Sequence, residues 1–402
     1  MDGSLPSRAD GPLPPDDPAG ARYRAIRTRL TDVAARRAEW ARLSAEALEA
    51  NVFLHPAFAL PLLSHAPGDR DTDLWIVERL SGEAAQLVGL VALGPRRLGR
   101  RRLAYSWLSL NACLGLPLFH RDHARPALHA FLEALAADEP STAGFVVQMM
   151  PFDGATSRLL HEVAAARGLA TSERDGFTRP IFRPHTSAGR ATLSPKGPLD
   201  TPRLRTSRRR LERMGTLTHT IAQDHADLRA AAEEFLALEA RGWKGRRGSA
   251  VAKLDSDGAF VTGFVASLDA ALHRVHALRL DGRPIAMAVL LRDRDGTDHF
   301  WKIAYDEAYA STSPGRQLLV ALTRAQARAG VALTDSCAGP EDTLVAPRWP
   351  DRRAFCHLAI TLAPDRNRAL VATFRWIDIA RRWRERLRRL ARFRPFRAAD
   401  AE

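Results

Sequence analysis

VHALRLDGRPIAMAVLLRDRDGTDHFWKIAYDEAYASTSPGRQLLVALTRAQARAGVALTDSC, residues Val275 to Cys337, is the stretch that decides the fold. Val275–Leu280 alternates and meets Asp281-Gly282, a pair that favours a tight hairpin because both positions tolerate positive φ. Pro284–Leu291 is a second apolar run, and His299–Ala304 a third strand beyond the polar turn Arg292–Thr297. Ser311–Pro314 breaks the pattern. From Gly315 to Ala329 the spacing becomes helical, with Leu318, Leu319, Leu322 and Ala325 on one face. Gly330 ends the helix and Val331–Thr334 is a short strand. The predicted order is three antiparallel strands, a glycine-containing turn, a helix and a strand.

The turn carries the chemistry. Ser313-Pro314-Gly315 sets free N–H groups at a helix start, where partial positive charge and unpaired donors suit a phosphate. Gly315 lets a ligand approach the backbone closely. The same three residues also make an ordinary helix start, so local sequence does not decide between the two.

Longer words in the stretch carry a resemblance. L-x-L-x-G-R-P-I-A at 278–286, K-I-A-Y-D-E-A-Y-A at 302–310, S-P-G-x-x-L at 313–318 and D-S-C-A-G at 335–339 resemble the CelD-like acetyltransferases, the cellulose and exopolysaccharide group of the GNAT superfamily. The upstream word L-x-L-E-A-R-G-W-K-G at 236–245 fits as well. The resemblance covers roughly residues 200–350. It implies an α/β (α+β) fold of mostly antiparallel sheets flanked by helices, an acyl-CoA donor, acetyl-CoA included, and direct transfer to an amine or hydroxyl. The chain departs from the family twice. Of the usual pyrophosphate loop only Gly315 remains, followed by Arg316 and Gln317, and no Tyr-Lys pair precedes Trp349.

Direct transfer needs a thioester held against a neutral nucleophile, donors for the developing oxyanion and a route for the proton. Ser313, Gly315, Arg316 and Gln317 are the candidates for the pyrophosphate. Glu239, which precedes Gly-Trp-Lys at a helix end, is the candidate acid/base, with Tyr305 and Asp335 beside it. Trp243, Lys244, Ser336 and Trp349 are candidates for the acceptor pocket. Lys302 and Tyr305 lie three apart on one strand and face opposite sides, which assigns Tyr305 to the cleft. Each has a plainer alternative: Asp335 as a turn cap, Glu239 as a surface residue, the Trp residues as core. Cys337, with no His nearby in sequence, is better read as a small buried side chain than as a nucleophile.

The rest of the chain suggests two units. At 402 residues it is long enough for two ordinary domains, and 46% hydrophobic content is that of a globular protein. Residues 1–20 are rich in Pro, Gly and Asp and predict disorder. Residues 21–176 predict a degenerate GNAT-like unit that shapes the acceptor side, as in the tandem architecture of FemAB-type transferases. Within it Tyr23–Ala50 predicts a helix, Leu74–Arg79 and Gln86–Leu93 strands, and Ala124–Ala137 and Thr156–Arg167 helices. The proline-bearing residues 177–200 predict a crossover, 201–365 the acetyltransferase unit and 366–402 a basic tail. Ser256–Leu272 predicts a further helix.

The net charge of +14 comes mostly from two segments: six Arg against one Glu at 203–213, and ten Arg against four acids at 375–402. No base-stacking or groove-reading motif accompanies them, so nucleic acid is set aside as a partner of the transferase reading. Arg205, Arg208, Arg209 and Arg210 suit a phosphate of CoA or a solvated face equally. Residues 374–394 align Trp376, Ala380, Trp383, Leu387 and Leu390 on one stripe. Such a helix suits either an anionic membrane surface or packing on the domain. Three scattered cysteines and a start without an apolar signal core suggest the reducing cytoplasm, and the basic tail suggests its inner membrane face. No ligand spacing predicts a metal. Two other functions remain open: an aminoacyl transferase using aminoacyl-tRNA, for which the Arg-rich helix would meet RNA, and a binding protein on a decayed transferase fold.

Overall fold

Two sheets, of four and nine strands, organise the chain; a computed structural model describes residues 21–94, 103–248, 250–251 and 258–392. The first unit runs β1 (Arg22–Thr28), α1 (Leu30–Ala35), α2 (Arg37–Glu46), α3 (Pro56–His65), β2 (Asp73–Ser81), β3 (Ala84–Leu93), β4 (Leu103–Tyr105), β5 (Leu118–Phe119), α4 (Ala124–Asp138), β6 (Gly144–Pro151), α5 (Ala155–Arg167) and β7 (Thr171–Phe182). After α6 (Ser187–Leu193) and α7 (Pro202–Met214), the second unit runs β8 (Leu217–Ala222), α8 (His225–Arg241), α9 (Trp243–Arg246), α10 (Ala259–Ala266), β9 (His273–Leu280), β10 (Arg283–Arg292), β11 (Thr297–Tyr305), α11 (Pro314–Arg328), β12 (Leu333–Asp335) and β13 (Asp351–Thr361). The helix α12 (Asn367–Arg392) follows.

Both units repeat one plan. Antiparallel strands lead into one that pairs in parallel with the strand beyond the next helix: β4 with β6, and β11 with β12. The predicted fold of two GNAT-like units in tandem is present. What the sequence did not suggest is how they join. The long sheet has the order β4-β6-β13-β7-β12-β11-β10-β9-β8, so each unit's last strand lies beside the other unit's penultimate strand. β7 pairs with β12 and β13 with β6, and β7 and β13 pair with each other along most of their length. Apolar residues of both units accordingly share one core, from Trp40 and Phe131 to Phe235 and Met287.

The hairpin at Asp281-Gly282 forms as expected, with φ of 47° and 79°, the signature of a turn whose twist matches its strands. Three expectations fail. Tyr23–Ala50 is not one helix: Arg22–Thr28 is a strand, because Ile26 lies opposite Ile76 while Arg24 and Arg27 reach Glu78 and Asp73 on the next strand. Cross-strand packing and pairing there outweigh a helical spacing of apolar residues. The crossover expected from residue 177 begins later, since β7 continues to Phe182. Pro180 is tolerated because the ladder to β12 ends at Ile181, one residue away. The helix expected over Ser256–Leu272 spans Ala259–Ala266 among the described residues; Ser267 turns its hydroxyl onto Phe264 and Ala57 carbonyls and closes it. Disorder at 1–20 and the tail beyond Arg392 lie outside the described residues.

Candidate active site

β11 keeps its parallel partner only from Thr297 to His299. Beyond that point β11 and β12 part, and a cavity of about 500 Å3 opens at the end of β11. Its walls come from Ile303 to Tyr305 on β11, Ser313 to Arg316 at the start of α11, Leu238 to Lys244 around the α8–α9 corner, and Thr343 with Leu344. Seven sequence candidates therefore meet in one place: Glu239, Trp243, Lys244, Tyr305, Ser313, Gly315 and Arg316.

The start of α11 presents groups that suit an anion. Ser313 sits in the left-handed region, φ 55°, and its side chain makes no cap. Its carbonyl accepts from Arg316 N and Gln317 N, while Pro314 has no N–H and Gly315 N–H has no acceptor among the described residues. A Cβ on Gly315 would meet nothing closer than Ile303 Cδ1 at 3.6 Å, so packing alone does not require glycine there. No acid stands in the first turn. Arg348 adds to the positive field. Burial, then the charge of Arg316, hold its guanidinium below the ordinary range, Nη1 donates to the Leu344 carbonyl at 2.7 Å, and its buried Nε has no partner. Asp342 offsets part of that charge, and the unpartnered Nε leaves one donor for a further acceptor. The sequence reading passed over Arg348, since a lone Arg in an irregular turn has no periodic signal.

The opposite wall is a closed network. Glu239 is 1% exposed and accepts from Lys244 Nζ at 3.1 Å and from Val251 N–H at 2.7 Å. Lys244 also donates to the Ile303 carbonyl at 2.7 Å, on the β11 edge that β12 has left. Trp243 N–H and Arg246 both bind Glu307, which fixes the α9 corner to the turn after β11. Nearby Lys302 is pushed down by burial, with Glu239 opposing and Lys244 adding to the shift. Tyr305 lines both this cavity and a smaller adjoining one with Arg241, Arg246 and Arg283.

Four candidates lie outside the lining. Gln317 is buried and donates to the Leu204 carbonyl, tying α11 to α7. Trp349 is core: its Nε1–H donates to Thr323 Oγ1 at 3.0 Å and its ring stacks on Phe182. Asp335 caps the turn by accepting from Cys337 N–H, pairs with buried Arg179 at 3.6 Å and lines a separate cavity of about 230 Å3. Ser336 accepts from Ala338 N–H in the same turn and is buried. Burial and a hydrogen bond with Cys113 push the Cys337 thiol well up, which removes it as a nucleophile. Of the α7 arginines, Arg205 pairs with Asp200 and Arg208 with Glu212, while Arg209 and Arg210 are exposed. No group of three or more metal-ligating side chains occurs among the described residues.

Residues 202–343 match the family model described as an acetyltransferase (GNAT) domain. No curated protein matches the chain. Among solved structures, the C-terminal domain of a putative lysylphosphatidylglycerol synthetase from Agrobacterium fabrum aligns with TM-score 0.51 and 14% identity, covering 86% of this chain and 96% of that one. FemX aligns at 0.47 and 10% identity, over 86% and 99% of the two chains. A tandem GNAT protein from the clavulanic acid biosynthesis pathway gives 0.39 and 16%, over 85% and 99%. At these identities the likeness is one of fold. Residues 202–343 are thus similar to a GNAT-type acetyltransferase domain, and they include every wall of the cavity except Leu344.

Proposed function

We propose that the chain transfers an acyl group from acyl-CoA directly to an amine or hydroxyl of a small acceptor, a sugar or polysaccharide precursor being the class that the CelD-like words suggest. The observation that carries this is the cavity where β11 leaves β12, closed at one end by the bare start of α11 with Arg316, whose charge Arg348 feels. The pyrophosphate would sit at Gly315 N–H and Arg316, and the extended arm of the donor along the unpaired edge of β11. The acceptor's lone pair attacks the thioester carbon, the C–S bond breaks, and the Tyr305 hydroxyl protonates the leaving thiolate. The acceptor's proton departs towards the Glu239–Lys244 pair, with Trp243 at the pocket rim. No covalent enzyme intermediate is required.

A second reading has one observation in its favour. α7 packs on α11 through Leu204 and exposes Arg209 and Arg210, a surface that suits an RNA backbone as well as a CoA phosphate. Calorimetry separates the two. Acetyl-CoA should bind one-to-one and an aminoacyl-tRNA should not compete for it; tRNA binding that acetyl-CoA leaves untouched, with no heat from acetyl-CoA, would replace the first reading by the second.

A further inference from the structure

α12 carries apolar residues on two opposite faces. Leu370 and Phe374 are buried, with Ile377 beside them, against Leu103, Val146 and Ala359 on the outer face of the long sheet. Arg174 fixes that side by pairing with Asp378 and lying 4.8 Å over the Phe374 ring. This is the ordinary core-facing stripe of an amphipathic helix. The other face has no such cover among the described residues. Trp376 is 71% exposed, Ile379 45% and Trp383 60%, spaced three and four residues apart and so one above another on the helix. Exposed large apolar side chains gathered on one face mark a surface that something covers.

Charge identifies the occupant. Between Asn367 and Arg392 the sequence has nine Arg against only Asp378 and Glu385. A second copy meeting this face about a two-fold axis would bring one arginine-rich helix against another. No described helix is long and apolar enough to cross a membrane. Indoles prefer the boundary between water and hydrocarbon, and arginine is drawn to anionic headgroups beside it. We propose that α12 is a docking helix for an anionic lipid surface, with Trp376, Ile379 and Trp383 entering the headgroup layer and Leu370, Phe374 and Ile377 holding the helix to the protein.

The test is co-sedimentation of the full chain with vesicles of phosphatidylcholine, alone or mixed with phosphatidylglycerol. Binding is expected only to the anionic vesicles, and salt raised from about 0.1 M to about 0.5 M should weaken it. Trp376→Ser with Trp383→Ser should lower the partition roughly tenfold or more, with melting temperature unchanged because both rings are exposed. Arg375→Glu should lower it less. Equal binding to both vesicle types, no binding to either, or full binding by the double variant would overturn the proposal. So would a dimer in analytical ultracentrifugation that the double variant dissolves, or an RNA fragment that displaces the vesicles and needs the same two Trp residues.

Discussion

The same strand is built in both units and broken differently in each. In the second unit β11 pairs Phe300 with Leu290 and Lys302 with Val289, so Trp301 is a single extra residue. In the first unit the corresponding strand is split into β4 and β5. Trp107 N–H still reaches the Ala92 carbonyl and Leu118 pairs with Leu90, and residues 108–117 are thrown out between them. That loop is buried at Ala112, Leu114 and Leu116 and is held by Asn51, which donates to the Leu116 carbonyl, and by Arg179, which donates to the Cys113 carbonyl. Trp301 Nε1–H donates to the Asn111 carbonyl, so the short bulge of one unit docks on the long bulge of the other. The helix starts differ in the same sense. Before α4 stand Asp122 and Glu46, both within reach of His120; at α11 stand Arg316 and Arg348. One unit spends this region on burial, and the other leaves it open and positive.

The most severe way to break the comparison is to make the open end resemble the closed one. Gly315→Glu should raise the dissociation constant for acetyl-CoA by roughly a hundredfold or more, since it fills the approach and sets a carboxylate at the proposed pyrophosphate site. The fold should survive, because a Cβ there meets only Ile303 and Tyr305 at ordinary contact distance. Calorimetry that finds unchanged affinity would move the donor site elsewhere.

Acid should separate the units next. The second strand of the first unit, β2, buries Trp75, Ile76 and Val77; its counterpart β9 buries His273 and His276. Burial holds His273 down to about 4 and His276 to about 3, from an ordinary 6.5. In the unfolded chain both imidazoles take up protons near 6.5. Between these values the unfolded state therefore binds more protons, and stability falls as pH falls. From about pH 7 to about pH 5 the loss should be on the order of 3 kcal/mol for the pair. Denaturant melts that keep their midpoint across this range would mean that the two imidazoles reach water.

A milder probe is the contact between the two bulges. Trp301→Phe keeps the ring but leaves the Asn111 carbonyl without its buried donor, which should cost about 1–3 kcal/mol. Affinity for the donor should hardly change, because the plugged region and the open cavity lie on different parts of β11. A large loss of affinity without loss of stability would show that the loop at 108–117 shapes the cavity after all.

Much of this was legible between Val275 and Cys337, where alternation, the Asp281-Gly282 turn and a helical run follow one another and β9, β10, β11 and β12 each find a partner within the stretch. The strand exchange was not, because β7 and β13 pair across well over a hundred residues and neither run announces its neighbour. Site residues divide along the same line. Ser313, Gly315, Arg316 and Tyr305 come to line one cavity, where strand and helix order places them. Gln317 fails because one further step around α11 points it at α7 rather than the cavity. Trp349 fails because an aromatic in an irregular turn gives no face, and the structure spends it on the core against Phe182. Arg348, one residue earlier, was invisible for the same reason.

The smallest expected effect tests whether the Glu239–Lys244 wall is chemical or only structural. Glu239 accepts two hydrogen bonds and is closed to water, and Lys244 spans from it to the β11 edge. Glu239→Gln preserves size and lets the amide oxygen keep the Val251 N–H, but removes the charge that faces Lys244. If the pair carries the acceptor's proton, turnover should fall at least about tenfold, a positioned acid/base contributing roughly 10²–10⁴-fold when it acts alone, while the acetyl-CoA dissociation constant stays put. The pH profile of turnover should shift as well, because Lys244 and Lys302 would then face each other with no carboxylate between them. A structural role predicts another pattern: lower melting temperature, unchanged turnover per folded molecule and an unshifted profile. Lys244→Met discriminates further, since it removes the cation and leaves Glu239 buried with one donor. Equal losses of turnover in the two variants, with donor affinity intact in both, are what a proton route through the pair requires.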